Sequence, residues 1–467
     1  MTRKHRGMAR EETGTAANGR ARPVADGHGR THLDAAGEQT DGARTQMSSE
    51  NPAWGGRMRT TGGAGSTGGT APAHQTTVRR MNLALLLKNL LADGPRSRAR
   101  LAEDTGLTKA TVSSLVAELG ERRLVSEGGI DRGNIGRPGR MVQIDTSVVR
   151  CMGLEINVDY VVAVITDLTG RVRYRRRLSV PLRDLGPARG LGEVADFARS
   201  SVQESGCAPE QVETLHVSVP GLIDVEAGVL SYAPNLHWRQ VDVVHSLLGR
   251  LQWHHARVSV DNDANLGAMA EYTTGRSAGT RNLLYLVGDA GVGAGLMVDG
   301  RIVRGRMGFA GEVGHMPVGR PEKLCGCGRR GCWESAVGLA AVVDGVPGTA
   351  HAPGDLGSRL DKVERLAAAG DPQTLAVLTE VGVWLGRGAA LLANVLDPEV
   401  IILGGHFAAL QRYLGPAVRT EMRERVVAEP QTVRVEFSEF GSEAPALGAA
   451  HAGIDLLVGD PTLVAAR

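Results

Sequence analysis

GHMPVGRPEKLCGCGRRGCWES, residues 314–335, gathers a histidine and three cysteines in a 467-residue chain that uses cysteine only five times. The spacing is His315-x9-Cys325-x-Cys327-x4-Cys332. Three thiolates and an imidazole are the donor set that a tetrahedral structural zinc prefers. Gly326, Gly328 and Gly331 alternate with the cysteines and allow a backbone tight enough to aim three sulfurs at one point. Single buried cysteines are common, but three within eight residues, interleaved with glycine, are not. A zinc with four protein ligands has no open position, so it pins a loop rather than doing chemistry. Glu312 stands three residues before His315 and Glu334 two after Cys332. A pinned loop therefore brings two carboxylates and an imidazole together, a group suited to accepting hydrogen bonds from several hydroxyls of a polyol.

Outward from this loop, composition limits the possibilities. Aromatic residues make up 3% of the chain while glycine is abundant, so the cores must rest on Leu, Val, Ile and Ala. No uninterrupted apolar run reaches the length of a membrane span, and the first residues lack the apolar stretch of a secretory signal. Clustered cysteines fit a reducing compartment, and together these features predict a cytoplasmic protein that meets no membrane. The net charge of +2 conceals an asymmetry. Residues 1–150 carry 23 Lys and Arg against 15 Asp and Glu, a balance of +8, and the remainder carries 30 against 36, a balance of −6. A basic front implies a polyanionic partner, although basic residues that merely solubilise a tail would give the same count.

Residues 1–75 are rich in Gly, Ala, Thr, Arg and Ser without aliphatic periodicity, and they read as a disordered tail. At Val78 the texture changes. VRRMNLALLLKNLLADGP is Leu-dense at helical spacing and stops at Gly94-Pro95. A short helix follows, with Ser97 as N-cap and Gly106 as the turn. Thr108 caps a third, on which Val112, Leu115, Val116 and Leu119 form an inward stripe and Lys109, Thr111, Ser113 and Ser114 face outward. Two short helices around a Gly turn are the helix-turn-helix pattern, and small hydroxylated side chains on the second suit a major groove. LVSEGGIDRGNIGRPGRMVQID then reads as strand, Gly-rich tip and strand, a wing with Arg132, Arg137 and Arg140 placed for phosphate or minor-groove contact. The same module could instead be a protein-interaction winged helix; the basic front favours double-stranded DNA.

From Cys151 onward Val/Ile-rich strands alternate with helices. GLEINVDYVVAVITDLTGRVRYRRRLSV is a meander turning at Thr169-Gly170, and TEVGVWLGRGAALLANVLDP is a helix feeding the buried strand EVIILGG. Some three hundred residues of this mixture predict an α/β body of two lobes around a cleft.

GEVGH, CGCGRRGCWES, VDNDAN and PEVIILGG resemble the signatures of the ROK family (repressor, open reading frame, kinase), over roughly residues 76–460. The resemblance implies the actin-like ATPase fold of sugar kinases, here a two-lobed domain over 149–460. It is preceded by an α+β winged helix-turn-helix domain over 76–148 and followed by a short tail, 461–467. By the same resemblance Glu312, His315 and Glu334 contact sugar, and Asn262 and Asp263 form the pair that grips its hydroxyls. Asn235 adds a further contact. His315, Cys325, Cys327 and Cys332 hold structural Zn2+, and Asp263 occupies the position of the kinases' general base.

Two departures from the kinase pattern set the function. Where the kinases read D-x-G-G-T, this chain reads EINVDY, with Asn157, Val158 and Asp159 replacing the glycines and Thr. Where they read GTGxGxG it reads DAGVGAG, with Asp289 and Ala290 in place of Gly and Thr. Backbone amides of Gly-rich turns cradle phosphates, and both turns have gained side chains and an acid. ATP is therefore not expected, Asp263 is a vestigial base, and the chain is expected to be a non-catalytic kinase homologue. The reading is a sugar-responsive transcriptional regulator: a homodimer or homotetramer that binds operator DNA and responds to a sugar or sugar phosphate. An active sugar kinase with an appended DNA-binding domain, or a DNA-binding protein whose sugar site is idle or reads a protein partner, are the alternatives.

Overall fold

The computed structural model describes residues 71–130, 140–350, 356–429 and 432–466. The tail assigned to residues 1–75 lies, up to residue 70, outside the described residues. The first elements are helices α1 (Ala71–Asp93), α2 (Arg98–Thr105) and α3 (Lys109–Glu121), and strands β1 (Arg96–Ser97), β2 (Val125–Ile130) and β3 (Arg140–Ile144), the strands forming an antiparallel sheet in the order β1-β3-β2. Local chemistry accounts for each boundary. The Ser97 hydroxyl accepts from the Arg100 amide (3.4 Å), and Gly106 closes α2 in the left-handed region at φ 71°. Thr108 accepts from the Thr111 amide (3.2 Å) at the start of α3. Val112, Leu115, Val116 and Leu119 are all buried, as their spacing predicts. Helix α1 begins at Ala71, earlier than the boundary at residue 76 read from the texture.

Next comes a sheet of β4 (Arg150–Ile156), β5 (Tyr160–Thr166), β6 (Val172–Ser179), β7 (Val212–Val219) and β11 (Arg257–Asn262), in the order β11-β7-β4-β5-β6. Strands β4, β5 and β6 form an antiparallel meander, while β7 and β11 join parallel to β4. Helices α4 (Leu182–Glu204) and α5 (Val243–Leu251) and a small sheet of β8 (Leu222–Asp224), β9 (Val229–Ala233) and β10 (Trp238–Asp242) complete this lobe. A second five-stranded sheet repeats the plan. Strands β12 (Leu283–Gly288), β13 (Val292–Val298) and β14 (Arg301–Ile302) form its meander, and β15 (Val400–Gly405) and β16 (Arg434–Phe437) add parallel to β12. The two sheets are one topology used twice, with too little sequence likeness to read as a repeat.

Two helices lie between the sheets. Helix α6 (Asp263–Thr274) packs on β12 and β13, and α13 (Ala444–Gly459) packs on β4, β5 and β7; the two pack against each other. Their approach is so close that a Cβ on Gly448 would lie 1.7 Å from the Leu266 carbonyl oxygen, and one on Gly153 of β4 would lie 1.9 Å from that of Ala446. Only glycine fits at either crossing. The second lobe adds α7 (Glu334–Val337), α8 (Leu339–Gly345), α9 (Leu356–Ala368), α10 (Pro372–Leu396), α11 (His406–Ala409) and α12 (Gln411–Arg425). Among the described residues one helix, α10, is long and apolar enough to cross a membrane; half of that stretch is buried, and α10 packs against α12.

The module at 71–144 does not close its own core. Leu86, Leu115 and Val142 share one cluster with Val149, Cys151, Leu168, Ile454, Leu457, Val458 and Val464. Where the texture suggests only a tail, residues 461–464 instead turn back: Val464 is buried, and its carbonyl accepts from the Arg122 guanidinium at 2.5 Å. Arg80 of α1 pairs with Asp460 at 3.3 Å.

Candidate functional site

Ligand atoms of His315, Cys325, Cys327 and Cys332 all lie within 4.8 Å of one another. Cys327 and Cys332 sulfurs are 3.7 Å apart, and Cys325 Sγ is 3.9 Å from His315 Nδ1. Zinc–sulfur bonds of about 2.3 Å at tetrahedral angles put two sulfurs ~3.8 Å apart, so the donors fit that ion in type and spacing. The loop is held by Cys325 N–H to the Arg329 carbonyl (2.8 Å) and Gly328 N–H to the Cys325 carbonyl (2.9 Å). Gly328 and Gly331 take φ of 85° and 73°, which justifies glycine at both; Gly326 has neither a positive φ nor a crowded Cβ position. Held through Nδ1, His315 directs Nε2 toward the Glu312 carboxylate, 3.7 Å away. A zinc there would be closed to substrate and would fix the ring tautomer, leaving Nε2–H for a hydroxyl.

That ring edge opens into a pocket between the sheets, in which all six residues assigned to sugar by resemblance line one wall or another: Asn235, Asn262, Asp263, Glu312, His315 and Glu334. Asn262 ends β11 and caps α6, its Oδ1 accepting from the amides of Ala264 (2.9 Å) and Asn265 (3.2 Å) while its Nδ2 donates to the Gly221 carbonyl (3.1 Å). From the sequence Asn262 has only the sugar to hold, and this structural duty is an addition to it. Asp263 opens the helix. Burial, and the Asp289 carboxylate beyond it, push its pKa up to about 6. Burial likewise lifts Glu312 to about 7, with Asp263 and Glu334 adding like charge. Glu334 Oε2 accepts from the Val292 amide at 3.1 Å, which fixes its carboxylate beside the turn that holds Gly291. Asp261, next to the pair, is clamped by Arg304 Nε at 3.0 Å and itself accepts from the Asn265 side chain at 3.1 Å.

Beside this pocket a larger cleft of about 540 Å³ is lined by residues of both phosphate-turn segments. Here the substituted side chains bond to each other. Asn157 Oδ1 accepts from the Val158 amide (2.7 Å), the kind of backbone donor that a Gly-rich turn leaves free. Tyr160 Oη lies 2.7 Å and Asn157 Nδ2 2.9 Å from the same Asp289 oxygen, so the first sheet is bonded to the second across the cleft. Glu155 lies beneath, 2% exposed, with one oxygen unpartnered; burial, then the Asp289 carboxylate, push its pKa up to about 8. Asp289 N–H is taken by the Gly291 carbonyl at 2.8 Å. Asn157 and Asp289 stand out in the sequence, but Tyr160 and Glu155 do not. Their signal, an acid and a phenol five residues apart on one hairpin, acquires meaning only once Asp289 faces them.

Of the residues assigned to DNA, Lys109 and Ser114 are exposed on α3 while Thr111 and Ser113 are half-buried. The Thr111 hydroxyl lies 2.8 Å from that of Thr108, and Ser114 accepts from Arg79 at 3.3 Å. Arg140 is exposed at the start of β3; Arg132 and Arg137 lie outside the described residues.

A two-sheet body with a glycine-tight helix pair between its halves, a loop of one histidine and three cysteines, and a carboxylate-lined pocket defines a sugar-kinase-like protein of the actin fold. The chain belongs to the ROK family, whose model matches residues 151–454. It is 30% identical over 387 residues to the xylose repressor of Bacillus subtilis, covering 82% of this chain and 97% of that one. It is also 26% identical over 392 residues to the DNA-binding transcriptional repressor Mlc of Escherichia coli, covering 81% and 94%. Among solved structures it resembles a ROK family transcriptional regulator described as a homologue of the E. coli Mlc protein (TM-score 0.67, 25% identity, 83% of this chain and 98% of that one). A ROK glucokinase from Streptomyces griseus, in complex with glucose and AMPPNP, matches 65% of this chain and 98% of its own (TM-score 0.56, 26% identity).

Proposed function

We propose that this protein is a sugar-responsive transcriptional repressor: residues 71–144 are a winged helix that binds operator DNA, and the body is a sugar sensor that transfers no phosphate. The observation that carries the reading is that elements suited to two different ligands share a framework. Helix α3 presents Lys109 and Ser114 outward, and its core is completed by α13, which in turn packs on the helix bearing Asn262 and Asp263. Asn235, Asn262, Asp263, Glu312, His315 and Glu334 receive the sugar hydroxyls, and zinc on His315, Cys325, Cys327 and Cys332 fixes the loop that brings in three of these contacts, Glu312, His315 and Glu334. The names and extents of the relatives, aligned through the N-terminal module, support DNA as the partner.

Phosphoryl transfer needs an electrophile held beside the base. The amides of Val158 and Asp289 are spent on internal acceptors, and the Asp289 carboxylate faces the cleft, which supports a kinase-like domain without ATP. Sugar that prefers one arrangement of the sheets shifts α13 and with it a pair of winged helices in a homo-oligomer, changing their match to half-sites. Linkage requires DNA to alter sugar affinity by the same factor. Such a protein works in the cytoplasm, on DNA.

The test is fluorescence anisotropy on the DNA immediately upstream of this protein's own gene, at fixed salt, with monosaccharides and their phosphates added singly. A tenfold or larger shift by one of them, about 1.4 kcal/mol of coupling, is the expected result; DNA binding that no sugar alters would refute the sensor. ADP release with the same sugars would establish the kinase reading instead.

A further inference from the structure

The charge of the sugar pocket carries information on its ligand beyond the reading above, on which this inference rests. Four carboxylates line it, from Asp263, Asp289, Glu312 and Glu334, and among the described residues no Lys or Arg does. The guanidiniums nearby are committed elsewhere. Arg304 clamps Asp261, Arg183 Nε donates to the Asn235 carbonyl at 2.9 Å, and Arg177 lies over the Tyr160 ring at 3.7 Å and bonds Ser442.

An anion could instead be held by backbone N–H groups, and the N-terminus of α6 is the obvious place. That end is already filled: Asn262 and Asp263 accept from the Ala264 amide, and Asn262 from that of Asn265. In the turns, three amides are engaged as well: Val158 N–H goes to Asn157, Asp289 N–H to Gly291 and Val292 N–H to Glu334. Four carboxylates with no cation among the lining side chains leave the pocket rich in acceptors, and its donors, such as the His315 ring N–H, are neutral. A hydroxyl donates to such a wall, and an ammonium does so with a charge in its favour. A phosphate monoester, about −1.5 to −2 at neutral pH and an acceptor only, does neither. It would enter beside four carboxylates with no Lys or Arg among the described lining residues to offset them.

We propose that this pocket takes phosphate-free polyols, neutral or ammonium-bearing, and excludes their phosphate esters, with Asp289 as the residue that sets this selectivity. The effector is then a sugar as it enters the cell or is released from a glycoside, before any kinase has acted on it.

The experiment is isothermal titration of the full chain with glucose, mannose, N-acetylglucosamine, xylose and glucosamine, and with the 6-phosphates of glucose, mannose and N-acetylglucosamine. A free sugar that binds at least a hundredfold tighter than its 6-phosphate supports the inference. An ester that binds as tightly as its parent sugar, or tighter, overturns it and leaves the sugar sensor standing. Binding of none overturns both. Asp289→Asn keeps the side-chain shape and should narrow the ratio between sugar and ester at least tenfold. A ratio that does not move, in a variant that melts like the parent, removes Asp289 from the assignment.

Discussion

A single methyl group at position 448 tests the central helix pair. An ideal Cβ there lies 1.7 Å from the Leu266 carbonyl oxygen and 3.1 Å from the Ala270 amide, both backbone atoms of α6. Ordinary contact needs about 3.4 Å, so Gly448→Ala forces α13 and α6 apart by roughly 1.7 Å, or bends one of them, and the packing on both sides of the crossing is lost with it. Overpacking of this kind costs about 1–3 kcal/mol and more where no flexible side chain can yield. Alanine returns ~1 kcal/mol through helix propensity. The expected balance is a destabilisation of about 2 kcal/mol. At ~2.1 cal/mol/K per residue over the roughly 380 described residues, that lowers the melting midpoint by about 2–3 °C. Sugar affinity should fall too, since Asn262 caps α6 and Asp263 opens it. Gly249→Ala is the matched control. Gly249 sits in helix α5 at negative φ with nothing within 4 Å of its Cβ position, so the same substitution there should stabilise by about 0.5–1 kcal/mol. Differential scanning calorimetry of both variants decides the matter. If they shift the midpoint in the same direction, the glycine contact does not set the helix spacing.

Cys327→Ser should reduce bound zinc, read by elemental analysis, and weaken sugar binding at least tenfold while operator affinity persists; intact sugar binding without metal would separate the loop from the pocket. Glu155 is raised to about 8 from its ordinary value near 4.5. The native state therefore holds a proton that the unfolded chain has lost over this window, and stability should fall as pH rises from 4.5 to 8. Glu155→Gln, measured by urea unfolding at pH 6 and pH 8.5, should flatten that slope and be the more stable form at the higher pH; an unchanged slope would assign the titration elsewhere. Asp263, raised to about 6, and Glu312, raised to about 7, must be ionised to accept hydrogen bonds from hydroxyls, so sugar affinity measured by titration calorimetry should drop as pH falls from 8 through 6 and level off above 8. Thr108→Ala removes the cap of α3 and should cost about 1 kcal/mol, seen as faster amide exchange in that helix; protection equal to the parent's would show the cap to be dispensable.

What was legible in the sequence follows from distance along the chain. Ser97, Gly106 and Thr108 act on neighbours three or four residues away, so caps, turn and the buried stripe of α3 could be read directly. The loop of His315, Cys325, Cys327 and Cys332 is equally local, and its four side chains meet as spaced. Six residues were assigned to sugar by resemblance, and the structure brings all six to one pocket. Three things were not legible. The bonds among Asn157, Tyr160 and Asp289 span some 130 positions, and nothing local marks Tyr160 as a partner. The capping duty of Asn262, which accepts from the Ala264 and Asn265 amides and donates to the Gly221 carbonyl, appears only in the geometry. The module's core borrows Ile454, Leu457, Val458 and Val464 from more than three hundred residues away, which no periodicity in residues 78–144 could announce.

That borrowed core sets a schedule for synthesis. A ribosome that has finished residues 71–144 has made a module with one wall of its interior missing. Its leucines stay partly wetted until α13 and Val464 have been translated and cleared the exit tunnel. A nascent or truncated chain lacking that stretch carries every outward-facing residue of α3 and still lacks the support that holds them in register. For the function proposed above, that order ties operator binding to completion of the sugar-sensing body.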